Sequence, residues 1–448
     1  MRRKANPMAA SEESSSLESS SPSFTSGVVT ALPVALAGGA TGIVGVIVTV
    51  LLARILSNQG YGSYAQLISI FLIVSMPGSA LIVAVVRRTA SWRTAGSHIA
   101  LRDWAKNVHH RMHRLLGIFT ALVIVLSYPL SMLMAKRSPV SMALVLIAAG
   151  VWVVLCIDRG FLQGTQQYHG LAMNYLVEGV VRTALVLAFG VLFKLPGVAI
   201  GIFLGEAVTA LHARRCANAA LEKTTGDGLA VVPPSIRRDI VVDLVAALAA
   251  LALLALLQNI DVLILGHVNP HQSGEYAAVS IACKSLVYAA VVLGSYLLPE
   301  AALSHQEGDH ALRQLAITLG ILAIPATILI VMGEFFPAQI IKLVYGARYL
   351  GAESAFGPLA VAMTFLSITF LVVMYLLAHA NRWIVGLLGL AVVVGAIAIH
   401  FAHGVPLKTA QADLIVQIGL CALSCIGLMV AHRRLKRSGK PLLTAQPE

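Results

Sequence analysis

Six ionisable residues sit inside long apolar stretches of this chain: Glu178, Arg182, Glu206, Asp243, Asp261 and Lys284. A charge at the depth of lipid tails is costly, so such residues face one another, a wet cavity or a ligand. Glu178 and Arg182 stand at i, i+4 with the acid first, the favourable order for a helix pair. Two readings follow: the pair neutralises itself and only packs, or Arg182 offers charge to an anionic ligand while Glu178 positions it. Lys284 has no partner within its own turn and needs one across a bundle. Asp261, in the outer half of the neighbouring helix, fits that need. Glu206 and Asp243 lie nearer the cytoplasmic ends, where they reach the interface. Arg54 closes the first apolar stretch and either snorkels or guards a cavity mouth.

The elements that must position these residues are twelve apolar stretches, near 28–53, 64–86, 115–135, 139–158, 173–193, 196–213, 241–265, 276–299, 312–333, 355–378, 383–403 and 410–432. Each approaches the roughly 20 residues with which a helix crosses a bilayer core. Hydrophobic residues make up 58% and charged residues 12%, with mean hydropathy +0.84. That much apolar surface needs lipid as its solvent, and continuous apolar runs select helices over barrel strands. Lys and Arg number 23 on alternate connections and both ends, against 7 on the opposite connections. Cytoplasmic loops keep their Lys and Arg, so both termini are expected in the cytoplasm. The net charge of +12 is accounted for by those loops. It fixes topology and meets anionic lipids rather than nucleic acid.

A weak repeat appears at an offset of 212: Gly62, Tyr64 and Ala65 recur as Gly274, Tyr276 and Ala277. Each copy reads as an outer turn leading into a helix, with Gly freeing the backbone and Tyr in the interface belt. The expected organisation is all-α, with a Ser-rich disordered tail over 1–26, a six-helix lobe over 27–213, a basic linker over 214–240, a second six-helix lobe over 241–432 and a basic tail over 433–448. Within 87–114, Trp104, Val108, Met112 and Leu115 recur at helical spacing among basic residues, which predicts an amphipathic helix lying on the membrane face. A second such piece is expected around Pro299 to Leu312. His109 and His113 at i, i+4 lack a neighbouring carboxylate or Cys for a metal site, and no metal is expected there. The cysteines Cys156, Cys216, Cys283, Cys421 and Cys425 form no disulfide framework or CxxC pattern and read as packing residues. Pro77-Gly78 and Pro325 should kink or break their helices.

No GxxxxGK[ST] loop, HExxH or GxSxG occurs, so neither ATP hydrolysis nor a known hydrolytic site is expected, and no cofactor is implied. A membrane polysaccharide polymerase or ligase needs a large outer loop with Arg and His; the longest, about 334–354, is small and has no His.

From 28 to 432 the chain resembles the polysaccharide-export and flippase branch of the multidrug/oligosaccharidyl-lipid/polysaccharide (MOP) exporter superfamily. The resemblance rests on Leu-Leu-Ala-Arg54-Ile-Leu with Gly60-Tyr-Gly62-Ser-Tyr64, Arg159-Gly-Phe-Leu-Gln-Gly164 ahead of Glu178 and Arg182, and Gln258-Asn-Ile-Asp261. It continues in Gly274-Glu-Tyr276, Leu343-Val-Tyr-Gly346-Ala-Arg-Tyr349 and Ala378-His-Ala-Asn-Arg382. It implies two six-helix lobes around a central cavity, and transport of polyprenyl-pyrophosphate-linked oligosaccharide to the outer leaflet of a bacterial cytoplasmic membrane. Polysaccharide polymerase and glycosyltransferases are the implied partners. Cationic cavity residues would meet the pyrophosphate, here Arg182 and Lys284, with Arg54 third. Asp261 and Glu178 are the candidate coupling groups. A multidrug exporter of the same fold and a peptidoglycan-precursor flippase are the alternatives.

Overall fold

A computed structural model describes residues 24–223, 238–303, 308–378 and 381–438. The Ser-rich tail, most of the basic linker and the end of the basic tail lie outside them. Among the described residues, eleven helical runs are long and apolar enough to cross a membrane. One of them, Tyr168–Lys223, has 56 residues. At about 1.5 Å per residue it would span far more than the roughly 30 Å of a bilayer core. It does not run straight. Lys194 has non-helical dihedrals (φ 56°, ψ −132°) and breaks the run just before Pro196. Beyond it the chain folds back. A Cβ added to Gly201 would lie 2.5 Å from the Cα of Val186, and one on Gly205 2.8 Å from the Cα of Arg182. The run is therefore an antiparallel hairpin of two apolar arms, which raises the candidate crossings among the described residues to twelve.

The helices are α1 (Phe24–Ile55), α2 (Asn58–Ser75), α3 (Gly78–Thr94), α4 (His98–Ser131), α5 (Pro139–Gly164), α6 (Tyr168–Val177) and α7 (Thr183–Lys223) in one lobe. A π-helical turn, Glu178–Arg182, joins α6 to α7. The other lobe holds α8 (Arg238–Val268), α9 (Ser273–Leu303), α10 (Gly308–Phe335), α11 (Pro337–Val344), a 3₁₀ segment (Ala347–Ala355), α12 (Phe356–Ala378), α13 (Trp383–His400) and α14 (Pro406–Ser438). Packing repeats between lobes. In the first, α5 contacts α3, α4 and α7; in the second, α12 contacts α9, α10 and α14. Likewise α1 packs on α6 as α8 packs on α13. Pro77 separates α2 from α3, whereas Pro325 sits within an unbroken α10.

The basic segment 87–114 differs from its expected form. Its second half is the start of α4, continuous with the third crossing. The apolar face of Leu101, Trp104, Ala105, Val108 and Met112 packs on Phe161, Leu162 and Leu221 of the same lobe. It covers protein rather than lipid. Residues 214–223, expected as linker, continue α7 and complete that cluster. The second amphipathic piece falls on residues whose side chains lie outside the described set.

The hairpin yields a direct test. A valine at Gly201 must displace backbone rather than a flexible side chain. Gly201→Val should cost about 3 kcal/mol or more, the upper range for overpacking. A thermal unfolding midpoint in detergent equal to that of the unsubstituted protein would contradict the close approach.

Candidate functional site

In the first lobe the ionisable residues form one alternating chain of charge. Arg159, on α5, donates through Nη2 to Glu178 Oε2 at 2.6 Å and through Nε to Asn174 Oδ1 at 2.8 Å. Its guanidinium also lies 4.1 Å from the centre of the Tyr175 ring. Glu178 Oε1 is 3.0 Å from Arg182 Nη1. The same Nη1 donates to Glu206 Oε1 at 2.9 Å. The links come from three passes of the chain: α5, the π turn and the returning half of α7. Glycine at 205 lets that half approach the stem of Arg182. A π turn widens the helix locally and is common where a side chain must be re-aimed. Here it carries both Glu178 and Arg182, with Thr41 of α1 donating to the adjoining Tyr175 carbonyl at 2.9 Å.

The second lobe centres on Asp261. Its Oδ1 accepts from Lys284 Nζ at 3.0 Å; its Oδ2 accepts from Tyr276 Oη at 3.0 Å and Ser280 Oγ at 2.9 Å. Both oxygens are committed, and Lys284 and Asp261 are buried. Near them, α14 presents a buried polar stripe of Thr409, Asp413, Gln417 and Ser424. Asp413 Oδ1 accepts from Gln417 at 3.1 Å, but its Oδ2 has no hydrogen-bond partner. Glu206 Oε2 in the first lobe is in the same condition. Among the described residues, each lobe therefore holds one buried carboxylate oxygen without a hydrogen-bond partner.

Two sequence expectations change. Glu206 does not reach the interface; it is fully buried and ion-paired to Arg182. Tyr64 and Tyr276 leave the interface belt and are buried, Tyr64 within 3.4 Å of the Thr49 hydroxyl. The side chain of Asp243 lies outside the described residues. Of the three cations expected to meet a ligand, Arg54 is exposed at the end of α1 and Lys284 is sealed, with 3% of its side chain accessible. Arg182 keeps 28% accessible while paired to two acids. Sequence reasoning missed Arg159, Asn174 and Asp413. The signal was present: Asn174, Glu178 and Arg182 recur every four residues, as do Thr409, Asp413 and Gln417.

The lobes meet along a polar seam at the end away from the basic segments. Asn58 Nδ2 donates to the His271 carbonyl and to Glu275 Oε1, both at 3.2 Å. Gln59 Nε2 lies 3.3 Å from His271 Nδ1. Buried Gln66 donates to the Leu263 carbonyl at 3.1 Å and to the Leu133 carbonyl of its own lobe at 3.2 Å, and accepts from Ala135 N–H at 2.8 Å. The Tyr349 hydroxyl donates to the Ala53 carbonyl at 2.6 Å, and Arg348 reaches the same oxygen. Tyr61 packs edge-on to Tyr349, with ring centres 5.4 Å apart. The repeated glycines sit in this seam. A side chain at Gly62 would strike Ser273, and one at Gly274 would strike Asn58. Both lie within helices, so their use is close approach between lobes rather than freedom at a turn.

With that geometry in view, the chain compares closely in fold with transporters of the MOP superfamily. An inward-facing multidrug resistance MATE-family transporter superposes with TM-score 0.67 at 14% identity, covering 89% of this chain and 96% of the other. The outward-facing form of a MATE-family transporter gives TM-score 0.65 at 13% identity, covering 92% and 96%. A MOP-superfamily transporter from Pyrococcus furiosus, described as having a binding pocket of reverse polarity, gives 0.59 at 13% identity, covering 90% and 95%. In sequence, the chain is 26% identical over 194 residues to Stage V sporulation protein B of Bacillus subtilis (strain 168). That match spans 40% of this chain and 37% of the relative. No family model matches. The fold is thus MATE-like: the described residues are all-helical, with eleven helical runs long and apolar enough to cross a membrane.

The ion pairs can be tested apart from function. Removing one partner of a buried pair leaves a bare charge and costs about 3–5 kcal/mol. Lys284→Met alone should destabilise by that order, and adding Asp261→Asn should recover most of it. Equal loss from the single and double variants, measured by thermal unfolding, would show that the pair is not coupled.

Proposed function

We propose that this protein is an alternating-access transporter in a bacterial cytoplasmic membrane, moving a polyprenyl-pyrophosphate-linked oligosaccharide from the cytoplasmic to the outer leaflet. The observation that carries the reading is the contrast between firm lobes and the seam between them. Inside each lobe, buried charges are cross-linked by ion pairs. Between lobes, the ties are mostly neutral hydrogen bonds gathered at one end. Neutral hydrogen bonds contribute about 0.5–1.5 kcal/mol each, so such a seam can open without dismantling a lobe. Taking the basic segments as cytoplasmic, the closed end is the outer one, and the described state would admit a head group from the cytoplasm. The lipid tail would stay in the bilayer.

Within this reading Arg182 is the residue that meets the diphosphate, because, of the core cations Arg159, Arg182 and Lys284, it keeps the most accessible side chain. Lys284 acts indirectly by holding Asp261. Arg54 lies at the rim. Glu178 and Asp261 were the expected coupling groups, but their oxygens are held by cations and hydroxyls. The unpartnered oxygens of Glu206 and Asp413 favour those two acids as the groups that take a proton or cation during the cycle. One observation supports a second reading, export of cationic drugs. The acids Glu178, Glu206, Asp261 and Asp413 outnumber the cations Arg159, Arg182 and Lys284 in the two cores.

Reconstituted vesicles separate the two. A fluorescent polyprenyl-diphosphate sugar should be translocated by the unsubstituted protein. Translocation should fall at least tenfold in Arg182→Ala, an effect of losing one charge-assisted contact, at unchanged protein level. Efflux of a cationic dye with no movement of the lipid-linked sugar would establish the drug reading instead.

A further inference from the structure

At the basic end of the first lobe, α4 and α7 enclose a cavity of about 340 Å³ lined by Arg102, Lys106, His109, Arg214, Asn218 and Glu222, among others. All its lining residues belong to those two helices, so it is separate from the seam between lobes. The cations are not equally occupied. Arg102 is spent on the chain: its Nε donates to the Leu221 carbonyl at 2.9 Å and its Nη2 to the Glu222 carbonyl at 2.6 Å. This fixes one wall. His109 forms the floor. Its Nε2 is 2.7 Å from Asp158 Oδ1 and its Nδ1 2.7 Å from the Ala105 carbonyl. Each ring nitrogen thus has one close oxygen partner. Arg214 is left short. Its Nη1 lies 3.5 Å from Asp158 Oδ1, which is already held by His109, and has no hydrogen-bond acceptor although buried. Lys106 is exposed at the mouth. The acids in view are Asp158, which both His109 and Arg214 face, and the exposed Glu222.

Depth decides the ligand. Helix α4 has 34 residues, about 51 Å at 1.5 Å per residue, and exceeds a roughly 30 Å core by some 14 residues. Counting back from its far end, the core ends near Met112. The segment carrying Arg102, Lys106 and His109 therefore stands at headgroup level. We propose that this cavity is a binding site for the phosphate of an anionic phospholipid headgroup, with Lys106 and the accessible part of the Arg214 side chain as its donors. A phosphate oxygen would give Arg214 a shorter acceptor than Asp158 at 3.5 Å, and a charge-assisted bond is the strong kind. Basic pockets between helices on this side of a membrane suit such headgroups. The bound lipid would bridge the ends of α4 and α7, adding to the Arg102 hydrogen bonds and the apolar packing that already join them.

The test uses the full chain, stripped of lipid in detergent and offered phosphatidylglycerol or phosphatidylcholine. Native mass spectrometry reads retained lipid, and thermal unfolding reads stabilisation. Phosphatidylglycerol should be retained and raise the midpoint; phosphatidylcholine should do neither. Arg214→Gln should weaken retention about tenfold, the effect of one charge-assisted hydrogen bond. Asn218→Trp fills the cavity without changing charge and should expel the lipid as well, which covers a misfolded Arg214 variant. Arg215→Gln, an exposed cation that does not line the cavity, should have no effect. Equal losses from Arg214→Gln and Arg215→Gln would mean diffuse attraction and overturn the site. Stabilisation by inorganic phosphate but not by phosphatidylglycerol would overturn the lipid assignment.

Discussion

A charge placed at the depth of lipid tails must be neutralised where it stands, because no water is there to do so. The interior of this protein is arranged around that requirement. In the first lobe, Arg159, Glu178, Arg182 and Glu206 alternate in sign across three helical passes. In the second, Asp261 gathers Lys284, Tyr276 and Ser280 from α9. These contacts dictate much else. The π turn places two of the charges, the glycines of α7 let its returning half close on Arg182, and Asn174 ties the Arg159 guanidinium to the Thr209 carbonyl.

The seam between lobes follows a different rule. It joins backbone carbonyls and amide side chains at one end of the molecule, and it needs Gly62 and Gly274 for the two helices to touch. Breaking it exposes mostly neutral groups, with Glu275 and Arg348, at one end of the molecule, where water can replace the lost partners. Breaking a lobe core would expose charges to lipid. The energy difference between those two events is what permits large relative movement of bundles that stay intact.

Much of this architecture was legible in the sequence. Lipid demands continuous apolar helices, so the crossings announced themselves, and the break before Pro196 separated two of them. The pairs Glu178–Arg182 and Asp261–Lys284 were readable from helical spacing and from the need to neutralise a lone lysine. Arg159 and Glu206 were misplaced because distance from the end of an apolar stretch does not fix burial when helices run beyond the membrane, as α4 and α7 do. The role of Gly62 and Gly274 was hidden for another reason. Their repeat is visible along the chain, but the contact they permit lies across the interface between copies. Trp104, Val108 and Met112 showed the expected period, yet periodicity alone cannot say whether an apolar face meets lipid or protein.

The account depends on two firm lobes that part along a breakable seam. Gln59 and His271 face each other across it at 3.3 Å. With cysteines at both positions in reconstituted vesicles, oxidation should join the lobes and stop translocation of the lipid-linked sugar, and a reductant should restore it. Undiminished translocation at complete cross-linking would contradict the central claim.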